Sequence, residues 1–328
     1  MPAKTTPSYD EKLRTLSEGS VHQHFDAFLD IAWDSPEFAV VADDPRWILP
    51  KSDALGRHPW YQSLPQDQQI AIGMWRQANV AKVGLQFENL LIRGVMEYVM
   101  TVPNGSAEFR YCTHEVTEET HHTQMFQEFV NRLGVDVPGT SRFFRTLSPF
   151  LPLVAHVLPE IFFLGILAGE EPIDHLQKAI LRDEAELHPL MQRIMQIHVA
   201  EEARHISFAH EYLRHTTPQL NPVRKALLSV AFPIALRWLA NEIMVPAKEI
   251  TTVAGVPREV VKDVFWDSPE GREMLQGMFG DVRALAEEIG VVNRVTGPLW
   301  RVLGIHGKAS RFRGAPTGEP AIAPAEAA

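Results

Sequence analysis

The sequence predicts an all-α protein, a four-helix bundle core with additional helices around it. Three observations carry this. Between Gln66 and His215, apolar residues recur at helical spacing in four long stretches. Proline- and glycine-containing turns separate those stretches. Runs that alternate apolar and polar residues, the mark of half-buried strands, are few.

Residues 1–20 read as a polar lead-in with a short helix. From Asp34 to Pro65 the chain is rich in Pro, Asp and Trp (DSPEF, DDPRWILP, RHPWYQSLP), so 1–65 is expected to wrap a core rather than form one. From Gln66 no proline occurs until Pro103, which predicts one long helix ended by PNGS. A second runs from about Glu108 to Leu133 and stops at Gly134, a third spans about Leu158 to Leu181, and a fourth spans Pro189 to His215. These four make a core over 66–215. Residues 216–312 supply additional helices packed on it within the same domain, one starting at Asp267-Ser268-Pro269. The Pro/Ala/Gly-rich tail 313–328 reads as disordered.

Composition narrows the function classes. The 31 Lys and Arg against 41 Asp and Glu give a formal charge of −10, which repels phosphate backbones and argues against nucleic-acid binding. A single cysteine, Cys112, rules out an internal disulfide framework and a Cys-rich zinc or iron–sulfur site, and it fits the cytoplasm. The N-terminal stretch has no apolar h-region, so no signal peptide is expected. Two segments approach the length of a membrane span, Pro149–Ala168 and Ala226–Pro246. Internal prolines and polar residues interrupt both, which suits buried bundle helices better.

Two segments carry the chemistry. In YCTHEVTEETHHTQMFQEFV, Glu119 and His122 lie three apart and share a helix face. In MQIHVAEEARHISFAHEYL, His198, Glu202 and His205 form an i, i+4, i+7 stripe beside Ile194, Met195 and Ile206, so the stripe faces the core. Buried ionisable groups are costly unless paired or metal-bound. Carboxylates and imidazoles without thiolate suit iron or manganese. A carboxylate-bridged two-metal bundle takes a Glu-x-x-His from two helices and a lone Glu from each of the other two. The first long helix offers Glu88, at mid-helix, with Glu97 as the rival nearer its end. The third offers Glu170, in phase with Phe163, Ile166 and Ile173, or Glu171, in phase with Asp174, Lys178 and Arg182. Within HEVTEETHH, Glu118/His121 competes with Glu119/His122, but Cys112, Val116, Phe126 and Phe129 continue the phase of Glu119. His114, His121, His175, His188 and His210 are expected at the surface or outside the ligand ring. Phe87, Leu91, Phe126, Phe163, Leu167 and Phe208 are candidates to line a substrate pocket, with Arg93 and Arg204 as carboxylate holders.

The order and spacing of these motifs resemble the p-aminobenzoate N-oxygenase family of ferritin-like di-iron oxygenases. The resemblance covers about residues 66–215 and rests on Phe87–Glu88, Glu118–His122, GEEPID at 169–174 and HVAEEARH at 198–205. It implies a seven-ligand set of Glu88, Glu119, His122, Glu170, His198, Glu202 and His205, with His198 as the extra imidazole. It also implies two iron ions, O2 as co-substrate, a small organic substrate such as an arylamine, and an external electron donor of the ferredoxin type. An acyl desaturase or hydroxylase on the same scaffold, and a non-enzymatic metal-binding bundle, are the alternatives. A homodimer through the apolar 223–248 region and a manganese–iron centre are further expectations.

Overall fold

A computed structural model of the chain describes residues 7–308, so the tail expected over 313–328 lies outside the described residues. The described residues are all-α, and four long helices form the bundle core. Helix α1 (Tyr9–His22) begins with a capping box. Ser8 accepts from the Glu11 amide, while the Glu11 carboxylate accepts from the Ser8 amide. Residues 23–65 follow as loops and single helical turns, and they bury Ile31, Trp33, Trp47, Leu49 and Leu55 against the bundle. Trp47 stacks on His188 at 4.0 Å and lies against Phe129.

The bundle consists of α2 (Gln66–Val99), α3 (Ala107–Leu133), α4 (Pro159–Leu181) and α5 (Pro189–Thr216). The residues that bound these helices explain their ends. Ser106 caps α3, and Gly134 ends it at φ 66°, a left-handed conformation that glycine adopts without strain. His188 accepts from the Leu190 amide and Pro189 supplies the first turn of α5, where a missing N–H costs nothing. Helices α2 and α3 pack along their length, as do α4 and α5, and α3 meets α5 across the core. The α2–α3 and α4–α5 connections are short, whereas residues 134–158 form one long connection with only short helices, Arg142–Leu147 and Val154–Val157. One long crossover is the ferritin-like arrangement. Close approach is required at Gly169, where an added Cβ would lie 1.8 Å from the Phe87 ring.

Helix α6 (Pro222–Met244) packs on α4 and α2. It is the one described helix long and apolar enough to cross a membrane, and half of its apolar window is buried inside the protein. The 149–168 segment is instead broken into a helical turn, the short helix Val154–Val157 and the start of α4. After α6 the chain makes shorter elements than the spacing suggested, including a π-helical turn over Asp263–Asp267 and the helices Pro269–Gly277 and Gly280–Glu288. The start at Ser268 is as expected, with its hydroxyl accepting from the Gly271 amide.

Candidate metal centre

The bundle brings ten buried ionisable side chains into one volume. Helix α3 supplies Glu115, Glu118, Glu119 and His122, and α5 supplies His198, Glu201, Glu202 and His205. Glu88 comes from α2 and Glu170 from α4. None is more than 3% exposed.

The seven residues expected as ligands face one another. His205 Nδ1 lies 2.9 Å from Glu119 Oε1 and 3.4 Å from Glu202 Oε1. His122 Nδ1 lies 3.5 Å from Glu119 Oε2, 3.6 Å from Glu202 Oε1 and 4.0 Å from Glu88 Oε1. His198 Nε2 approaches Glu88 Oε1 at 3.1 Å and Glu202 Oε1 at 3.4 Å. Ligand atoms of Glu119, His122, Glu202 and His205 lie within 4.8 Å of one another, as do those of Glu88, His122 and His198. Glu170 falls outside both groups but points into the same field, for the charges of Glu202, Glu119 and Glu115 act on it. Both Glu170 oxygens, Glu88 Oε2, Glu202 Oε2 and His122 Nδ1 are buried without a hydrogen-bond partner. Buried polar groups are nearly always satisfied, and an absent ion is one explanation for such a group.

The register rivals resolve into distinct roles. Glu171 turns from the cluster and meets His210 Nε2 at 2.7 Å. Both residues are buried, so Glu171 does not lie on the polar face that its phase suggested, while His210 sits outside the ligand ring. His188 is likewise fully buried, whereas His114 and His121 are half-buried and His175 exposed. Glu97 is half-buried near the end of α2.

Spacing alone assigns no carboxylates to orient the imidazoles, and the structure supplies them. Glu201 on α5 holds His122 Nε2 on α3 at 2.7 Å, while Glu118 on α3 holds His205 Nε2 on α5 at 2.8 Å. Each Glu-Glu doublet thus places one carboxylate in the cluster and uses its neighbour to brace the histidine of the facing helix. Arg204 Nη2 donates to Glu118 at 2.9 Å and to the Gln23 carbonyl, and the Phe25 amide donates to Glu201. The segment after α1 therefore seals this side of the site, and Arg204 is committed to that brace. His198 has no such carboxylate; the Phe126 ring packs against it at 5.2 Å.

Charge in the cluster follows from burial and contact. Burial first, then repulsion from Glu119, drives the Glu88 carboxyl well above its ordinary value, and burial with repulsion from Glu202 does the same to Glu170. Burial likewise pushes Glu115 up to about 8. Burial opposes protonation of His122 and His205, yet the carboxylates around them hold both well above the usual imidazole range. His198 has lost more to burial than it gains from Glu202 and falls to about 4. Against its burial, the hydrogen bond to His205 brings Glu118 down to about 2.

Of the expected pocket residues, Phe87 and Leu91 line an apolar chamber on the α2–α4 side, and Phe126 lines a small void on the other side. Phe163 and Phe208 pack instead into a buried aromatic group with Tyr98, Tyr111 and Tyr212, and Leu167 is fully buried. Arg93 lines an open surface groove with Gln86, Thr123 and Arg145.

The family model for the P-aminobenzoate N-oxygenase AurF matches residues 6–290, nearly the whole described chain. The chain belongs to this family. AurF-family membership makes it an oxygenase-type oxidoreductase and implies iron for the Glu/His cluster. Similar chains include "Uncharacterized protein Rv0885" of Mycobacterium tuberculosis (strain ATCC 25618 / H37Rv) and "Uncharacterized protein Mb0909" of Mycobacterium bovis. Each is 57% identical over 308 residues, covering 94% of this chain and 91% of the relative.

Proposed function

We propose that the protein is a non-heme di-iron oxygenase in which Glu88, Glu119, His122, Glu170, His198, Glu202 and His205 hold two iron ions. The observation that supports this best is the set of buried carboxylate oxygens and the imidazole Nδ1 that converge from four helices without hydrogen-bond partners. The donor set fits, since carboxylates and imidazoles without thiolate suit iron. When bound, iron would supply the coordination sites for O2 and relay electrons to it.

The protein's own residues do the rest. Glu201 and Glu118 accept from Nε2 of His122 and His205, which fixes the tautomer that presents Nδ1 to the cluster. His198 offers a neutral donor. Phe126 and the segment after α1 keep bulk water away. As a monooxygenase, the protein places one oxygen atom on a small organic substrate and releases the other as water. That consumes two electrons and two protons, the electrons coming from an external donor such as a ferredoxin-type system. The nitrogen of an arylamine is the atom the family description favours.

Anaerobic reconstitution with ferrous iron tests this reading. About two irons per chain are expected, with a transient visible absorbance on exposure to O2. His198→Ala should bind less iron or shorten that transient. Failure of the native chain to take up iron would overturn the assignment. The braces give a separate prediction. Glu118→Gln or Glu201→Gln keeps the side-chain volume but removes the charge that orients an imidazole. Each should weaken iron affinity or turnover by roughly 10- to 100-fold. Titration with ferrous iron checks it, and native affinity in both variants would refute the bracing role.

A further inference from the structure

The chamber beside α2 and α4 is a built pocket for an uncharged ring or short chain. Its inner end is formed by Phe87, Leu91 and Ile166, all buried. Phe87 precedes Glu88 in the chain. Leu91 stands three residues after Glu88 and Ile166 four before Glu170, so these two share a helix face with a carboxylate of the cluster, while the Phe87 ring lies against Gly169, next to Glu170. The outer end is formed by Leu151, Val154 and Trp238, which are half-buried and so reach solvent. Around that end the exposed apolar residues gather. Phe150 and Leu153 flank Leu151, and Ile234 on α6 precedes Ala235 of the chamber wall.

No charged residue lines this space, and the Trp238 indole N–H is the one polar side-chain group among the lining residues. The volume is about 130 Å³. Apolar voids of about 150 Å³ are known to take benzene. A carboxylate placed here would lose its hydration and find no cation to replace it.

We infer that this chamber holds the substrate's non-reacting part, and that the substrate is therefore a neutral hydrophobic molecule the width of a single ring, not an aryl carboxylate. The inference rests on the di-iron reading for the reaction, but the pocket itself does not. Gly165 gives direct access to it. It lines the chamber, and a Cβ built there meets nothing within 4 Å. Leucine at that helical position fills the space while improving helix propensity.

The test is titration of the full chain with toluene and with benzoate, read by calorimetry, with iron uptake measured in parallel. Toluene should bind at least tenfold more tightly than benzoate. Gly165→Leu should weaken toluene at least tenfold, about 1.4 kcal/mol, with iron uptake unchanged. Ala235→Phe, from the facing wall, provides the same block should Gly165→Leu not fold. Benzoate binding as tightly as toluene, or an unchanged toluene affinity in the blocked variant, overturns the inference. Loss of iron uptake in the native chain with toluene binding intact would overturn the di-iron reading instead.

Discussion

Glu170→Leu is expected to cripple iron loading and yet to make the metal-free protein more stable. In the metal-free chain Glu170 is buried, neither carboxyl oxygen has a hydrogen-bond partner, and burial with the nearby Glu202 and Glu119 charges pushes its carboxyl up. Leaving a buried polar group unsatisfied costs about 1–3 kcal/mol. Leucine has nearly the same volume and no such requirement, and its neighbours Phe163, Ile166 and Ile173 are apolar. The metal-free variant should therefore gain about 1–3 kcal/mol in denaturant unfolding. The iron-dependent stabilisation should vanish with the ligand. Glu170→Gln separates the two effects, because the amide keeps the unmet polar demand while weakening the ligand. A Glu170→Leu protein that is less stable than the native chain without metal would show that the carboxyl has a partner and is structural. Such a trade, local cost retained for chemistry, is the usual signature of a functional site.

The cluster was legible in the sequence to the extent that one helix sets it. Spacing alone puts Glu119 with His122, and His198 with Glu202 and His205, on single faces, and the structure brings all five together with Glu88 and Glu170. What spacing does not contain is the partner across the bundle. Glu118 and Glu201 look like the polar halves of Glu-Glu doublets, and their task appears only when α3 faces α5 and each reaches the opposite histidine. Glu115 is different, because a signal existed. It stands four residues before Glu119 and three after Cys112, in the same buried phase, but the surrounding HEVTEE reads as a polar run. Glu171 and His210 had no readable signal, since 39 residues separate them and their pairing depends on how α4 lies on α5.

The fold divides in the same way. Pro189, Gly134 and Pro222 punctuate long periodic segments, so α3, α5 and the start of α6 are sharp in the sequence. Pro172 lies inside α4 without ending it. The helix is buried on nearly all sides there, and packing outweighs the one hydrogen bond that proline removes. Beyond Met244 the periodic segments are short, so no single period dominates and the π-helical turn at Asp263–Asp267 could not be foreseen.

The same cluster should make iron loading release protons, so that pH acts oppositely on the empty and loaded protein. Without metal, protons stand in for cations: the Glu88 and Glu170 carboxyls, and the imidazoles of His122 and His205, are all shifted upward. Metal ligands must be deprotonated, so iron displaces these protons and binds more weakly as pH falls. The stability of the empty protein has the reverse sign. A group whose folded value is raised favours the folded state fully below its unfolded value, and that contribution is lost as pH rises through the folded one. For the carboxyls the loss begins near 4.5, with Glu115 reaching about 8, and for the two imidazoles it begins near 6.5. His198, lowered to about 4, acts the other way, but only below 6.5; Glu118, lowered to about 2, acts only below 4.5. Between pH 6.5 and 8 the raised groups alone count, each proton contributing up to about 1.4 kcal/mol per pH unit. Chelator-treated protein should therefore lose stability across that interval while the increment gained from ferrous iron grows. Calorimetric titration with iron in buffers of different ionisation heat should show an enthalpy that depends on the buffer. A buffer-independent enthalpy, together with parallel pH dependence of the empty and loaded forms, would mean that the carboxylates and imidazoles are already deprotonated and that something other than protons balances them.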